Sequence, residues 1–152
     1  MDAVTVPATL AAIAGRLMVA ALFGALVGLN RERQGKPAGV RTHALVALGG
    51  AQLTIVALLF GMSDAAAPGR VVQGIVAGIG FIGAGVILHR IGPVGVQGLT
   101  TAAAIWVVAA IGIAAGAGLW RTAAIAVGLT LLILVAGEAV DRRVHRGNPP
   151  GE

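Results

Sequence analysis

The stretch Val71–Leu88 reads Val-Val-Gln-Gly-Ile-Val-Ala-Gly-Ile-Gly-Phe-Ile-Gly-Ala-Gly-Val-Ile-Leu, and two incompatible folds compete for it. Its Gly78-Ile-Gly80-Phe-Ile-Gly83 portion spells the GxGxxG of a dinucleotide-binding turn. That fingerprint has meaning only where it follows a strand, opens a helix and precedes an acidic residue about 20 positions later. The corresponding later stretch, Leu99 to Ala104, contains no acid. The run itself carries no charge and is long enough to cross the hydrocarbon core of a bilayer, for which roughly 17–25 apolar residues suffice. It reads as a membrane helix.

The rest of the chain agrees. Hydrophobic residues make up 57% of the 152 and charged residues only 11%, against roughly 25% charged in soluble globular chains. Too few polar side chains remain to cover a water-facing surface. Five windows meet the length and apolarity of a span: Leu10–Leu29, Thr42–Gly61, Val71–Leu88, Thr100–Gly116 and Leu119–Ala136. A backbone in lipid must satisfy its own polar groups, so these windows are predicted to be helices. The expected fold is all-α, a polytopic transmembrane bundle of about five helices. Its organisation is an N-terminal segment (1–9), a membrane domain (10–137) and a short basic tail (138–152).

Lys and Arg set the direction of insertion. Arg31, Arg33, Lys36, Arg41, Arg90, Arg142, Arg143 and Arg146 fall on one side, and Arg16, Arg70 and Arg121 on or toward the other, eight against three. The N-terminus is therefore expected outside and the C-terminus in the cytoplasm. Nothing basic precedes the first apolar run, and the loop after it is too basic to translocate easily, so the first helix is expected to stay in the mature protein.

Composition excludes several function classes. There is no cysteine, hence no disulfide and no thiolate metal site. The net charge of +5 comes from residues between apolar segments without interleaved aromatics, which does not suit a nucleic-acid binder. His43, His89 and His145 are isolated, no HExxH or G-x-S-x-G element occurs, and no acid falls inside the five windows. An enzyme is not expected, nor a cofactor, nor a carboxylate proton relay.

The polar information lies elsewhere. The first basic loop, Asn30-Arg-Glu-Arg-Gln-Gly-Lys-Pro-Ala-Gly-Val-Arg-Thr-His43, suits anionic lipid headgroups. It also mixes Glu32 with Arg31, Lys36 and Arg41 and carries Gly35, Pro37 and Gly39, so its backbone shape is specified. Arg41-Thr42 at the next helix entrance could bind an anion, or cap and position that helix. Arg16 lies about 9 Å inside the first helix, counting 1.5 Å per residue. It either snorkels to the outer interface or pairs with Asp64, Gln52 or Gln73.

Glycine is abundant, at 24 residues. Gly24/Gly28, Gly74/Gly78 and Gly112/Gly116 have the small-xxx-small spacing that lets helix backbones touch. The denser set Gly78, Gly80, Gly83 and Gly85 admits two readings. One is close helix packing; the other is a glycine-lined or locally unwound helix whose carbonyls face a pathway or ligand. Thr100 and Thr101 could cap the fourth helix or bond across to a neighbour. Trp106 is too deep for an interfacial belt and is expected in the core.

Three blocks taken in order resemble the MgtC/SapB family of bacterial membrane proteins. They are Gly28-Leu-Asn-Arg-Glu-Arg with Gly35-Lys-Pro-Ala-Gly-Val-Arg-Thr-His43, then Gly78-Ile-Gly-Phe-Ile-Gly-Ala-Gly85, then Gly98-Leu-Thr-Thr-Ala-Ala-Ala-Ile-Trp106. The resemblance covers about residues 15–137. It implies a multi-pass inner-membrane protein linked to magnesium homeostasis and, in some members, to virulence or to the modulation of machines such as ATP synthase. The family often has Glu where this chain has Asn30 and Arg where it has Gln97, so roles needing charge there are not carried over. Longer members have a cytoplasmic C-terminal domain, and functions that depend on it are not expected of these residues. A regulatory role through membrane partners is the leading expectation. The alternative is a small homo-oligomeric ion transporter lined by the third helix.

Overall fold

A computed structural model describes residues 4–7, 9–61, 64–88, 91–92 and 95–146. It contains five helices: α1 (Leu10–Arg33), α2 (Val40–Phe60), α3 (Ala67–Leu88), α4 (Leu99–Gly116) and α5 (Trp120–Arg146). All five are long and apolar enough to cross a membrane. Between α3 and α4 the chain makes a two-residue antiparallel pairing of β1 (Ile91–Gly92) with β2 (Gly95–Val96). The fold is otherwise all-helical.

α1, α3 and α5 outrun their apolar windows by four residues or more, each toward charged sequence. A helix satisfies its own backbone in water as well as in lipid, so it stops where a stop signal stands rather than where apolarity ends. α1 continues to Arg33 and closes with Gly35 at φ 62°. There the amide of Lys36 donates to the Arg31 carbonyl (3.0 Å) and that of Gly35 to the Glu32 carbonyl (3.0 Å), a Schellman closure. α4 closes the same way at Gly118, φ 81°, with Leu119 N–H on Ala114 O (2.9 Å) and Gly118 N–H on Ala115 O (3.0 Å). α3 begins at Ala67, ahead of its window, with Pro68 in the first turn where a missing N–H costs nothing. α5 runs into the segment expected as a tail, as far as Arg146.

The core joins four helices. Ala20 and Val27 of α1, Ala47 and Ala51 of α2, Val108, Ile111 and Ala115 of α4, and Ala123, Val127 and Leu134 of α5 form one buried cluster. Small residues dominate it because the backbones lie close. A Cβ placed on Gly24 would meet the His43 carbonyl and lie 2.8 Å from Ala47 Cβ; one on Gly28 would lie 2.7 Å from Gly39 O and Val40 Cα. On the other side of α2, a Cβ on Gly50 would lie 2.8 Å from Ala109 O, one on Gly112 would meet the Ala47 carbonyl, and one on Gly116 would lie 2.6 Å from Ala51 O. Two buried hydroxyls are satisfied within their own helices, Thr54 donating to Gly50 O (2.8 Å) and Thr130 to Ala126 O (2.6 Å).

α3 stands apart from that cluster, packed against α4 and α2. A Cβ on Gly74, Gly78, Gly80 or Gly85 would meet nothing within 4 Å, and only Gly83 faces a neighbour, Ala102 Cβ at 3.4 Å. The close packing expected of this glycine set is therefore not made within the protomer. The helix is also continuous, so the locally unwound alternative does not hold. Trp106 departs from expectation as well. The buried positions of α4 include Thr101, Ala104, Ile105, Val108, Ala109, Ile111 and Gly112. That leaves Ala103, Trp106 and Ala110 on an outward stripe, with Trp106 49% exposed. The outer surface of the bundle, with Leu22, Leu26, Leu53, Phe81, Leu132 and Ile133 exposed, suits acyl chains rather than water.

Candidate functional site

Polar side chains gather at the two ends of the α1–α4 pair. At one end sits Arg16, buried to 6% exposure. Its Nη1 donates to the carbonyls of Thr5 (2.7 Å) and Gly116 (2.8 Å), and its Nη2 to Thr5 Oγ1 (2.6 Å). Thr5 N–H also reaches Ala117 O (3.3 Å). Arg16 thus neither snorkels nor pairs with Asp64, Gln52 or Gln73. It caps the C-terminus of α4, where orphan carbonyls and the helix dipole favour a cation, and ties the N-terminal segment to it. Asp64, in the turn before α3, instead holds Arg70 near the start of that helix.

At the opposite end sits Arg31, 3% exposed. Its Nη2 donates to Thr101 Oγ1 (3.1 Å) and its Nη1 lies 3.5 Å from Gln34 Oε1. Gln34 Nε2 in turn donates to Asn30 Oδ1 (3.2 Å), one helical turn back. The first and third sequence blocks therefore meet at one bond. Fifteen residues separate Arg16 from Arg31, and fifteen separate Thr101 from Gly116. The two arginines of α1 consequently grip the two ends of antiparallel α4, roughly 22 Å apart at 1.5 Å per residue.

The loop between α1 and α2 is shaped by Glu32. Its Oε2 accepts from the Val40 amide (2.8 Å), capping α2 from the preceding helix, and the carboxylate packs against Gly39. Thr42 falls inside the first turn, so neither it nor the exposed Arg41 is the cap, which is Gly39. His43 is fully buried, its Nδ1 3.0 Å from Gly39 O. Likewise the N-cap of α4 is Gly98, not Thr100 or Thr101. Thr101 makes the neighbour bond and Thr100 stays exposed.

Above Arg31 opens a pocket of about 480 Å³ between the ends of α1, α4 and α5, with Lys36, Gln97, Thr100, Thr101 and Glu138 in its wall. Asn30 touches this set through Gln34, and Lys36 is exposed at the rim. Gln34 and Glu138 are the residues that reading the sequence did not place there. The four-residue spacing Asn30–Gln34 was a usable signal for the first, and Glu138 as the first acid of α5, at the level of the basic loop, for the second. A second cavity, about 640 Å³ and apolar, lies between α2 and α3 along Leu45, Gly49, Gly74, Gly78 and Ile82. Among the described residues no group of three or more His, Asp or Glu side chains could hold a metal ion.

Five spanning helices, a small-residue core and buried arginine caps define a polytopic helical membrane protein. The MgtC family model matches residues 17–143, and the chain belongs to that family. It is 47% identical over 137 residues to protein SrpB of Synechococcus elongatus, covering 84% of this chain and 75% of that one. It is 41% identical to the putative magnesium transporter YhiD of Escherichia coli (78% of this chain, 57% of YhiD). It is also 41% identical to protein MgtC of Salmonella typhimurium (87% of this chain, 54% of MgtC). The chain thus spans little more than half the length of the latter two. No solved structure matches it.

Proposed function

We propose that the protein is an accessory or regulatory membrane protein in magnesium-linked physiology, working by docking a membrane partner against α3. One observation carries the reading: Gly74, Gly78, Gly80 and Gly85 have open space where a side chain would be. A glycine inside a helix costs about 1 kcal/mol relative to alanine, and in lipid it returns that cost by letting another backbone approach. Within the protomer these four return nothing, whereas Gly24, Gly50 and Gly112 do. At 100° per residue Gly74, Gly78 and Gly85 fall within about 40° of one another around α3 and Gly80 about 120° or more away, so a second copy or another membrane helix against those three completes the interface. The magnesium link rests on the names of relatives such as YhiD. The inner-membrane location, with the Arg31 end in the cytoplasm, rests on the lysine and arginine distribution.

Transport is the second reading, favoured by the name of YhiD alone. Against a path through one protomer stand the filled alanine-rich core and a buried arginine at each end of α4, which repel a divalent cation. Any path would lie between copies along α3.

The test is purification in mild detergent of the wild type and of Gly85→Leu, whose side chain enters open space on that face. The reading expects wild type in an oligomer or larger membrane complex, and the variant as a folded monomer with unchanged thermal unfolding. Wild-type monomer in several detergents and in native nanodiscs overturns it. Magnesium flux into liposomes, abolished by the same substitution, would favour transport.

A further inference from the structure

We propose that the pocket above Arg31 binds a phosphate-type oxyanion, with one negative charge and an apolar attachment suiting it best. The site is independent of the α3 face.

Four observations converge on it. Arg31 lines the pocket while 97% of its surface is covered, and its Nε has no hydrogen-bond partner in the protein. A guanidinium held in place by Thr101 and Gln34 presents a fixed array of donors, the geometry that suits phosphate oxygens. The N-terminus of α4 opens onto the same space. Gly98 caps it without a side chain, and the first intrahelical bond runs from the Ala102 amide to Gly98 O (2.9 Å). The amides of Leu99, Thr100 and Thr101 therefore precede the helical ladder, beside the Thr100 hydroxyl, where anions are favoured. Lys36 adds a second positive charge at the rim.

Charge and shape narrow the ligand. Glu138 lines the pocket and acts electrostatically on Arg31. Arg31 and Lys36 against Glu138 leave one net positive charge, which matches a monoanion such as a phosphodiester better than a dianion. The wall toward lipid is apolar, with Leu99 60% and Ile133 69% exposed beside the polar floor. A phosphodiester carrying an acyl chain satisfies both halves, and free phosphate satisfies the polar half alone.

The full chain, purified and stripped of lipid in a neutral detergent, is titrated with inorganic phosphate by phosphorus NMR. It is titrated in parallel with phosphatidylglycerol by native mass spectrometry, diacylglycerol serving as the uncharged control. Thr100→Glu places a carboxylate at an exposed position in the first turn of α4, where the dipole tolerates it, and is expected to weaken binding about tenfold. Glu138→Gln removes the opposing charge and is expected to tighten it about fivefold. Arg31→Lys is included with circular dichroism to check folding; the two rim variants decide the outcome if it does not fold. Binding of phosphatidylglycerol but not phosphate, with both responses, assigns a lipid headgroup. Binding of both ligands assigns a general oxyanion site. Diacylglycerol binding equal to phosphatidylglycerol, or affinities that do not move in these opposite directions, overturns the proposal.

Discussion

The α-carbon of Gly112 faces the main-chain carbonyl of Ala47 so closely that no β-carbon fits between them. The neighbour is backbone and cannot swing aside. Gly112→Ala is therefore expected to push α4 from α2 and lower stability by about 1–3 kcal/mol. The control is Gly80→Ala, where a methyl meets nothing within 4 Å. There the gain in helix propensity is expected to leave stability unchanged or raise it by up to about 1 kcal/mol. Thermal unfolding of both variants in detergent, followed by circular dichroism, checks the contrast; equal losses would contradict it.

Arg16→Met is expected to destabilise by about 2–4 kcal/mol, because it strips partners from the carbonyls of Thr5 and Gly116. Arg16→Lys should retain part of that, since an ammonium reaches fewer of the three acceptors at once. Thr5→Ala removes only the hydroxyl contact and is expected to cost about 1 kcal/mol. Limited proteolysis provides a second readout: the segment before α1 should become cleavable in Arg16→Met and stay protected in Arg16→Lys.

Removing the carboxylate in Glu32→Ala should expose the first turn of α2. The amide of Val40 loses its acceptor, at an expected cost of about 0.5–2 kcal/mol. Hydrogen exchange at Val40 should quicken while exchange in the middle of α2 is unaltered.

Asp64 provides a pH prediction. The Arg70 guanidinium, with the Ala66 amide (2.9 Å) behind it, holds its carboxyl below the ordinary 3.8. A lowered folded value means the ion pair contributes stability above the unfolded value and loses it as pH falls through the folded one. The pair is half-exposed, so the contribution is small. Carboxyl-carbon NMR should show Asp64 titrating at lower pH than a free aspartate, and Arg70→Gln should raise its midpoint.

Much of the fold was legible because a bilayer leaves few options: uncharged runs such as Val71–Leu88 have to be helices. The end of α1 was not, because the apolar window stops at Leu29 while the helix runs on to Arg33 and closes at Gly35. The partner of Arg16 was not legible, because its main acceptors are main-chain carbonyls, which every residue has. Trp106 was misplaced because α4 is apolar all round, leaving no periodicity to say which stripe faces outward. The glycines of α3 could not be told from those of α1 and α4 by spacing; only tertiary position separates filled from open. The site at Arg31 was half visible. Its two sequence blocks stood out, but the bond from Arg31 to Thr101 spans 70 positions and joins them only once the helices are folded.

The matched fifteen-residue spans on α1 and α4 restrict how the molecule can move. A pair of helices pinned at both ends cannot slide by a turn or roll about its long axis without breaking Arg16–Gly116 and Arg31–Thr101 together. Insertion of a single residue between the pins in either helix would put one pin out of reach. The pair therefore acts as a strut of fixed length across the bilayer. Shape change in response to a partner or ligand falls to α3, which lies outside the shared core, and to the part of α5 around Leu134 and Glu138, which forms the third wall of the pocket above Arg31.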